Sequence, residues 1–354
     1  MKKFLSLFLI FSLAVTLVSC QVKPPEGSTG STDTEGDPSP APAVTFSHEV
    51  AIYHDTVFYC DRNEGGKIKF QNLSDVQDTG TPLFPSNNKS LFFGVNSGTQ
   101  FIVDPIATVT NGGHPIIYIY LKKDYGLSGT LVAFNTKNNE ARILKKDIPN
   151  VEQFLLYGEY LIFSFSEGAS GRTIHSVKTD GTELCTLENR YKYIMFPQNV
   201  LNGEIYFTKG RNLYKAPLSL DSSSLVLEKC NTPVFFCGDH LYYSNCGTYP
   251  DSIESDRHLF RVKLDDTSKK ETVIDKQVYG IAKDSLFLNY ELNSNAIYLY
   301  DATTNENKLV YQKKGNKSVA CFTETYICLL EKNSGKNFIL YYDIATKEEI
   351  EIPY

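Results

Sequence analysis

The sequence predicts an all-β ring of repeated four-stranded units, and three observations carry that expectation. A two-residue turn followed by a strand ending in aromatics recurs along the chain. The polar turns that close the third strand of each unit fall about 36–45 residues apart, with one longer step across the second unit. No segment sustains helical periodicity.

The parent repeat is VLNGEIYF, Val200 to Phe207. Asn202-Gly203 is a strong hairpin signal because both turn residues must take φ > 0, which these two do cheaply. The same unit recurs at His54-Asp55 before TVFY, Gly158-Glu159 before YLIF, and Gly238-Asp239 before HLYY. It recurs again at Lys283-Asp284 before SLFL and Glu324-Thr325 before YICL. Third strands are expected at Ile68–Leu73, Leu131–Phe134, Ile174–Val177, Leu213–Leu218, Leu259–Leu264, Ile297–Tyr300 and Ile339–Tyr342. Each is followed by a turn rich in Asp, Asn, Gly, Ser or Thr.

The units run Thr45–Phe84, Pro85–Lys146, Asp147–Glu188, Asn189–Lys229, Cys230–Asp275, Lys276–Gln312 and Lys313–Tyr354. Such units cannot bury both sheet faces alone, but arranged radially each packs on its neighbours. The expected architecture is therefore a single β-propeller of four-stranded blades, seven-bladed, with six or eight as alternatives. The second unit is the irregular one. Ser90–Val95 and Phe101–Val109 both read as strands before Ile116–Leu121, as an insertion or part of an eighth sheet.

The chain begins with Lys2, Lys3 and an apolar run from Phe4 to Val18, the pattern of a secretory leader and too short to span a membrane. The run ends Leu17-Val18-Ser19-Cys20, which resembles the lipobox of bacterial lipoproteins. The resemblance implies a signal peptide over 1–19, S-acylation of Cys20 with a diacylglyceryl group, and an extracytoplasmic protein anchored to the bacterial membrane or cell surface. An ordinary signal peptide is the alternative. Residues 20–44 then comprise the lipidated cysteine and a tether; Gln21–Ala43 is too rich in Pro, Gly, Ser and Thr to bury a core. The propeller is expected over 45–354.

The formal charge of −6 becomes −8 once Lys2 and Lys3 leave with the leader, and no basic stripe appears. Nucleic acid is therefore not an expected partner. Tyrosine and phenylalanine are abundant (23 and 22) and tryptophan is absent, which removes propeller families defined by Trp-Asp, Tyr-Trp-Thr-Asp or a tryptophan-bearing Asp-box. Beyond Cys20, the odd set Cys60, Cys185, Cys230, Cys237, Cys246, Cys321 and Cys328 shows no CxxC spacing. No zinc grouping or cofactor motif is present, and cysteine in apolar strands behaves as a small hydrophobe. With Glu324-Thr325 as a two-residue turn, Cys321 falls opposite Cys328, within reach of a disulfide.

The lines LFRVKLDDTSKKETVI (Leu259–Ile274) and IHSVKTDGTELCTL (Ile174–Leu187) resemble bacterial lipoprotein propellers related to the low-density-lipoprotein-receptor and TolB types. The resemblance spans all seven units and rests on the strand–turn pattern and the Asp-Gly-Thr turn. It implies a fold and a binding or scaffolding role, with no site residues carried over.

Ligands of propellers meet the second-to-third strand connections. The longest here, Asn245–His258, supplies Tyr249, Asp251, Glu254, Arg257 and His258 as candidate contacts. Its siblings add Tyr125 and Arg172. Enzyme signals are weak: there is no G-x-S-x-G elbow, phosphate loop or H-E-x-x-H. The leading reading is a monomeric, membrane-anchored module that binds a protein or peptide. The alternatives are a glycan- or substrate-binding accessory lipoprotein and a propeller hydrolase with carboxylates from different blades.

Overall fold

The computed structural model describes residues 44–353 other than 47–48, 62, 65, 75–79, 93–94, 96–97, 123–127, 167–170, 189–194, 245–258, 275–276, 284–285, 292–295, 302–303, 305, 313–316, 324 and 334–335. Among these residues the strands form seven antiparallel sheets, and in each sheet four consecutive strands lie in chain order. Blade 1 comprises Val50–Tyr53, Thr56–Asp61, Lys67–Asn72 and Thr81–Pro82. Blade 2 comprises Gln100–Asp104, Ile116–Lys122, Ser128–Asn135 and Glu140–Pro149. Blade 3 comprises Val151–Tyr157, Tyr160–Ser166, Arg172–Lys178 and Cys185–Thr186. Blade 4 comprises Met195–Leu201, Glu204–Lys209, Asn212–Pro217 and Ser224–Leu227. Blade 5 comprises Asn231–Cys237, His240–Ser244, Leu259–Lys263 and Glu271–Ile274. Blade 6 comprises Gln277–Lys283, Leu286–Glu291, Ala296–Asp301 and Glu306–Gln312. Blade 7 comprises Lys317–Phe322, Tyr326–Asn333, Lys336–Asp343 and Glu349–Pro353.

First strands of neighbouring blades meet from blade 1 through blade 6, and that of blade 7 meets that of blade 1. They therefore line the axis, and the fourth strands face outward. The chain is a seven-bladed β-propeller of four-stranded blades, as its period predicts.

The hairpins follow the turn chemistry. Asn202 and Gly203 take φ of 51° and 75°, and Leu201 pairs with Glu204 across them. Tyr53 pairs with Thr56, Tyr157 with Tyr160, and Cys237 with His240, so the turns at His54, Gly158 and Gly238 stand where expected. Lys283 instead pairs with Leu286 after a bulge, which moves that turn one residue on, outside the described residues. Third-to-fourth strand turns share a device, a side-chain oxygen that caps the backbone two residues later. Asn72, Asn135, Asp180, Asp266 and Asp343 each accept from such an N–H.

Packing explains why strands that alternate only weakly are strands at all. The second strand of blade 4, EIYFTK, buries Ile205, Tyr206, Phe207 and Thr208 in succession, because a blade is covered on both faces. Apolar clusters fill every gap of the ring. Phe58 and Ile68 meet Phe101 and Phe134 between blades 1 and 2, and Ile162 and Ile174 meet Phe207 between blades 3 and 4. At the closure, Val50, Val57, Tyr59 and Leu73 of blade 1 pack on Ile339 and Ile352 of blade 7. Among the described residues no strand is exchanged there, so the ring is closed chiefly by apolar contact.

Two segments differ from expectation. Where Ser90–Val95 reads as a strand, the described part is a 3-10 turn, Lys89–Phe92. Phe101–Val109 divides into the strand Gln100–Asp104 and a helix, α1 (Pro105–Thr110). Pro105 ends the ladder because it has no N–H to donate, and the Asp104 carboxylate caps the helix by accepting from the Ala107 N–H at 2.8 Å. No eighth sheet forms among the described residues.

A further strand, β1 (Val44–Phe46), starts on the last residue of the expected tether, runs into the first expected unit, and pairs elsewhere. It lies antiparallel to the inner strand of blade 3, Val44 opposite Tyr157 and Phe46 opposite Leu155, and also meets the inner strand of blade 2. Sheet 3 thus has five strands, the extra one on its axial edge.

His175, buried on the third strand of blade 3, stacks 4.1 Å from the Phe165 ring and bonds Thr186 Oγ1 through Nδ1 at 3.0 Å. Burial, with Lys145 adding repulsion, holds its pKa down at about 4. The unfolded chain protonates this histidine near pH 6.5 while the folded one does not, so its contribution is complete above 6.5 and lost as pH falls toward 4. The expected loss is about 3 kcal/mol. Urea titrations of wild type and His175→Phe across that window check it; equal pH slopes would refute it.

Candidate functional site at the loop rim

Every inner strand starts on one rim of the ring and runs to its hairpin on the other. The first we call the loop rim, which carries the second-to-third strand connections and the links between blades; the second is the turn rim. The expected ligand contacts belong to the loop rim.

In blade 1, Asp61 ends the second strand and Lys69 follows on the third, with Glu64 between them. Lys69 Nζ lies 2.7 Å from Asp61 Oδ2 and 2.6 Å from Glu64 Oε1, and Lys67 Nζ meets Glu64 Oε2 at 2.9 Å. The Lys69 and Asp61 side chains are each only 5% exposed. Asp61 Oδ1 also accepts from the N–H groups of Asn63 and Glu64, which folds the loop over the ammonium. Bonds from Lys69 and then Lys67 pull the Glu64 carboxyl down to about 2. Burial drags the Lys69 ammonium down, but Asp61 and Glu64 outweigh it and leave the pKa raised.

Blade 7 carries a second sheltered pair. Lys317 Nζ lies 2.8 Å from Glu331 Oε2, the side chains 7% and 16% exposed. Burial again opposes the charge, and Glu331 with Tyr311 of blade 6 restores it, raising the lysine. Asn63 Nδ2 donates to the Asn337 carbonyl oxygen at 3.3 Å and links these two blades across the closure. Between blades 3 and 4, Arg172 starts a third strand and its guanidinium sits 4.6 Å from the Phe196 ring centre. Burial lowers the Arg172 pKa. Between blades 2 and 3, Gln100 Nε2 donates to the Val151 carbonyl oxygen, and Lys122 Nζ to Asn150 Oδ1.

The inner strands of blades 3 to 7 all break register, near this rim at Val151/Gln153, Asn231/Val234 and Val278/Gly280 and in mid-strand at Pro197/Asn199 and Val319/Cys321. Blades 1 and 2 pair without interruption. A bulge bends its strand and re-aims side chains, so five of seven blades turn their upper inner residues relative to the lower ones. The rim thus presents pinned ion pairs, an arginine on an aromatic ring, and a channel wall with irregular edges. Among the described residues no three His, Cys, Asp or Glu converge as a metal set.

Of the expected contacts, the structure places Arg172 on this rim, against Phe196. Tyr125, Tyr249, Asp251, Glu254, Arg257, His258 and the lipidation residue Cys20 lie outside the described residues. The ion pairs of blades 1 and 7 were not foreseen. Lys69 sits in KIKF, whose alternation reads as a solvated face, and it is Asp61 and Glu64 of the preceding connection that enclose its ammonium.

Cys321 and Cys328 stand directly opposite, in the register inferred from the turn, with Phe322 opposite Ile327 and the Thr323 N–H bonded to the Tyr326 carbonyl. Both are buried thiols in the structure. Burial, then the bond with Cys321, pushes the Cys328 thiol well above its ordinary range. Cys328 therefore offers little thiolate, so attack by its sulfur is expected to be slow. Mass mapping of air-exposed protein should find the Cys321–Cys328 link accumulating gradually; persistently alkylatable thiols would remove the expected bridge.

No model of a known protein family and no curated protein matches the chain. Solved structures do. A puromycin hydrolase mutant complexed with PGG superimposes with a TM-score of 0.57 at 12% identity, covering 87% of this chain and 53% of the hydrolase. An oligogalacturonate lyase in complex with manganese gives 0.50 at 8% identity, covering 87% and 85%. TolB from Acinetobacter baumannii gives 0.43 at 11% identity, covering 88% and 79%. This chain spans about half the length of the hydrolase. At these identities the likeness is one of fold, and the chain is a β-propeller.

Proposed function

We propose that the chain is a lipid-anchored, extracytoplasmic propeller that binds a protein or peptide at the loop rim and upper channel. One observation supports the peptide reading above others. The axial edge of blade 3 holds an extended segment of the chain itself, β1, by antiparallel pairing, which makes β1 the edge strand of that sheet and the place where a peptide backbone would add. The Arg172–Phe196 platform between blades 3 and 4 fits the same ligand class, since aromatic and arginine side chains anchor interfaces. Anchoring rests on the leader and Cys20.

Two variants test the two halves. Cys20→Ser should move the protein from the membrane fraction to the soluble one; unchanged fractionation removes the anchor. A photo-crosslinking amino acid in place of Phe196 should capture a discrete envelope protein or peptide, while the same group in place of Leu225, exposed on the outer strand of blade 4, should not. Equal yields at both positions remove the loop rim as the binding face.

A further inference from the structure

We propose that α1 is a membrane-touching tip, with Ile106 and Val109 entering the lipid surface so that the turn rim rests on the bilayer and the loop rim faces away. The inference rests on the lipid-anchor reading and adds the orientation in which the ring is held.

The connection that contains α1 departs from its siblings. Blades 1, 3, 4 and 5 join first to second strand with two residues, whereas blade 2 uses residues 105–115 for the same link. Elongation of one connection in a repeat marks a place of function more often than one of packing. All these connections lie on the turn rim.

The tip is rigid and apolar. Asp104 caps the first turn, Ile116 N–H donates to Thr108 Oγ1 at 3.1 Å, and Asn111 N–H donates to the Ala107 carbonyl at 2.9 Å. Asn111 Nδ2 reaches both the His114 carbonyl and Asn135 Oδ1, which ties the knob to the blade's third strand. Thr108 is fully buried on the inner side. Held outward on the opposite side are Ile106 and Val109, 54% and 74% exposed and one helical turn apart. Residues 105–115 include no Asp, Glu, Lys or Arg, so the tip offers nothing that must stay hydrated as an ion. Lys137 Nζ lies near Gly112 at its base, where it would meet anionic headgroups.

The chain's entry point selects lipid over another occupant. Val44 pairs with Tyr157, the last residue before the blade 3 hairpin, so the chain arrives at β1 from the turn rim. Roughly two dozen residues separate Cys20 from Val44; on the tether reading of that composition, a chain of this length would average about 27 Å end to end. An anchor that close places the turn rim beside the bilayer at an effective concentration in the millimolar range. At that concentration even a small apolar tip partitions.

The chain has no tryptophan, so Val109→Trp introduces a unique fluorophore at the tip and Leu225→Trp one on an exposed outer strand. Full mature protein is reconstituted into phosphatidylcholine vesicles with about a third phosphatidylglycerol, with and without brominated acyl chains. In parallel, residues 21–354 carrying an N-terminal histidine tag are held on the same vesicles by a nickel-chelating lipid, which supplies an anchor whether or not Cys20 is acylated. The expected result, in both formats, is blue-shifted emission at position 109 and about twofold quenching by bromine, with position 225 unquenched. Equal emission and equal quenching at the two positions, as a solvated or protein-covered tip would give, overturn the proposal. Quenching at 109 in the tag-held format with no vesicle association of the native protein leaves the tip standing and removes the Cys20 anchor.

Discussion

Truncation after Gln312 is expected to abolish cooperative unfolding. Blade 7 shares no strand with its neighbours, so its removal leaves every other hydrogen-bond ladder complete. What disappears is packing on two sides. Ile297, Val310 and Tyr311 of blade 6 lose Ile327, Leu329, Leu340 and Tyr342. Val50, Val57, Tyr59 and Leu73 of blade 1 lose Ile339 and Ile352. Re-exposing seven such side chains at roughly 1.5–3 kcal/mol each costs on the order of 10 kcal/mol. That is comparable with the whole stability of an ordinary domain, about 5–15 kcal/mol. Calorimetry should show a broad, low transition in place of a sharp one. A truncated chain that melts as sharply as the full one would mean the blades are independent modules.

The second large effect is expected at Gly66. It sits at φ +78° in the second-to-third connection of blade 1, and a Cβ built there would lie 1.4 Å from the Val95 carbonyl oxygen and 2.6 Å from its carbon. Both obstacles are backbone, and the Val95 N–H donates back to the Gly66 carbonyl, so neither segment can yield alone. Gly66→Ala must displace the loop that brings Asp61 and Glu64 onto Lys69, leaving a buried ammonium short of its counter-charges. A loss of about 3 kcal/mol or more is expected. Gly203→Ala supplies the comparison: φ is +75°, but nothing lies within 4 Å of its Cβ. That change should cost about 1–2 kcal/mol, the left-handed penalty alone. Equal losses in denaturant titrations of the two variants would show that the contact with Val95 is not what makes Gly66 obligatory.

The ring was legible because its punctuation is local. Asn202-Gly203 or Asp180-Gly181 specify their turns whatever lies around them, and seven such phrases at one period leave few architectures. The departures have equally physical origins. Pro105 after Asp104 announces a helix start, yet the apolar run from Phe101 to Val109 masks it unless the missing proline N–H is counted. Nothing in Val-Thr-Phe at positions 44–46 identifies a partner beyond residue 150, since strand pairing at that distance is decided by the assembled channel. Burial of Lys69 depends on how the connection carrying Asp61 and Glu64 folds back, which the alternation of KIKF does not reveal. As for the candidate contacts, Arg172 was reachable because it begins a strand whose register the turns define; the ion pairs of blades 1 and 7 needed the fold first.

The absence of strand exchange also bears on the order in which the molecule forms. Each blade completes its ladder from a contiguous stretch of chain, so every sheet needs only short loop closures, and none waits for the opposite terminus. The pairing of β1 and the contacts across the closure of blades 7 and 1 are different. β1 reaches its partner only after the inner strand of blade 3 exists, and Asn63 meets Asn337 across a sequence separation of 274. A chain synthesised N-terminus first would therefore accumulate finished but unjoined blades, each with an apolar face bare. Only when blade 7 emerges does the assembly close, and until then it is the inter-blade faces, not open ladders, that a chaperone would need to cover.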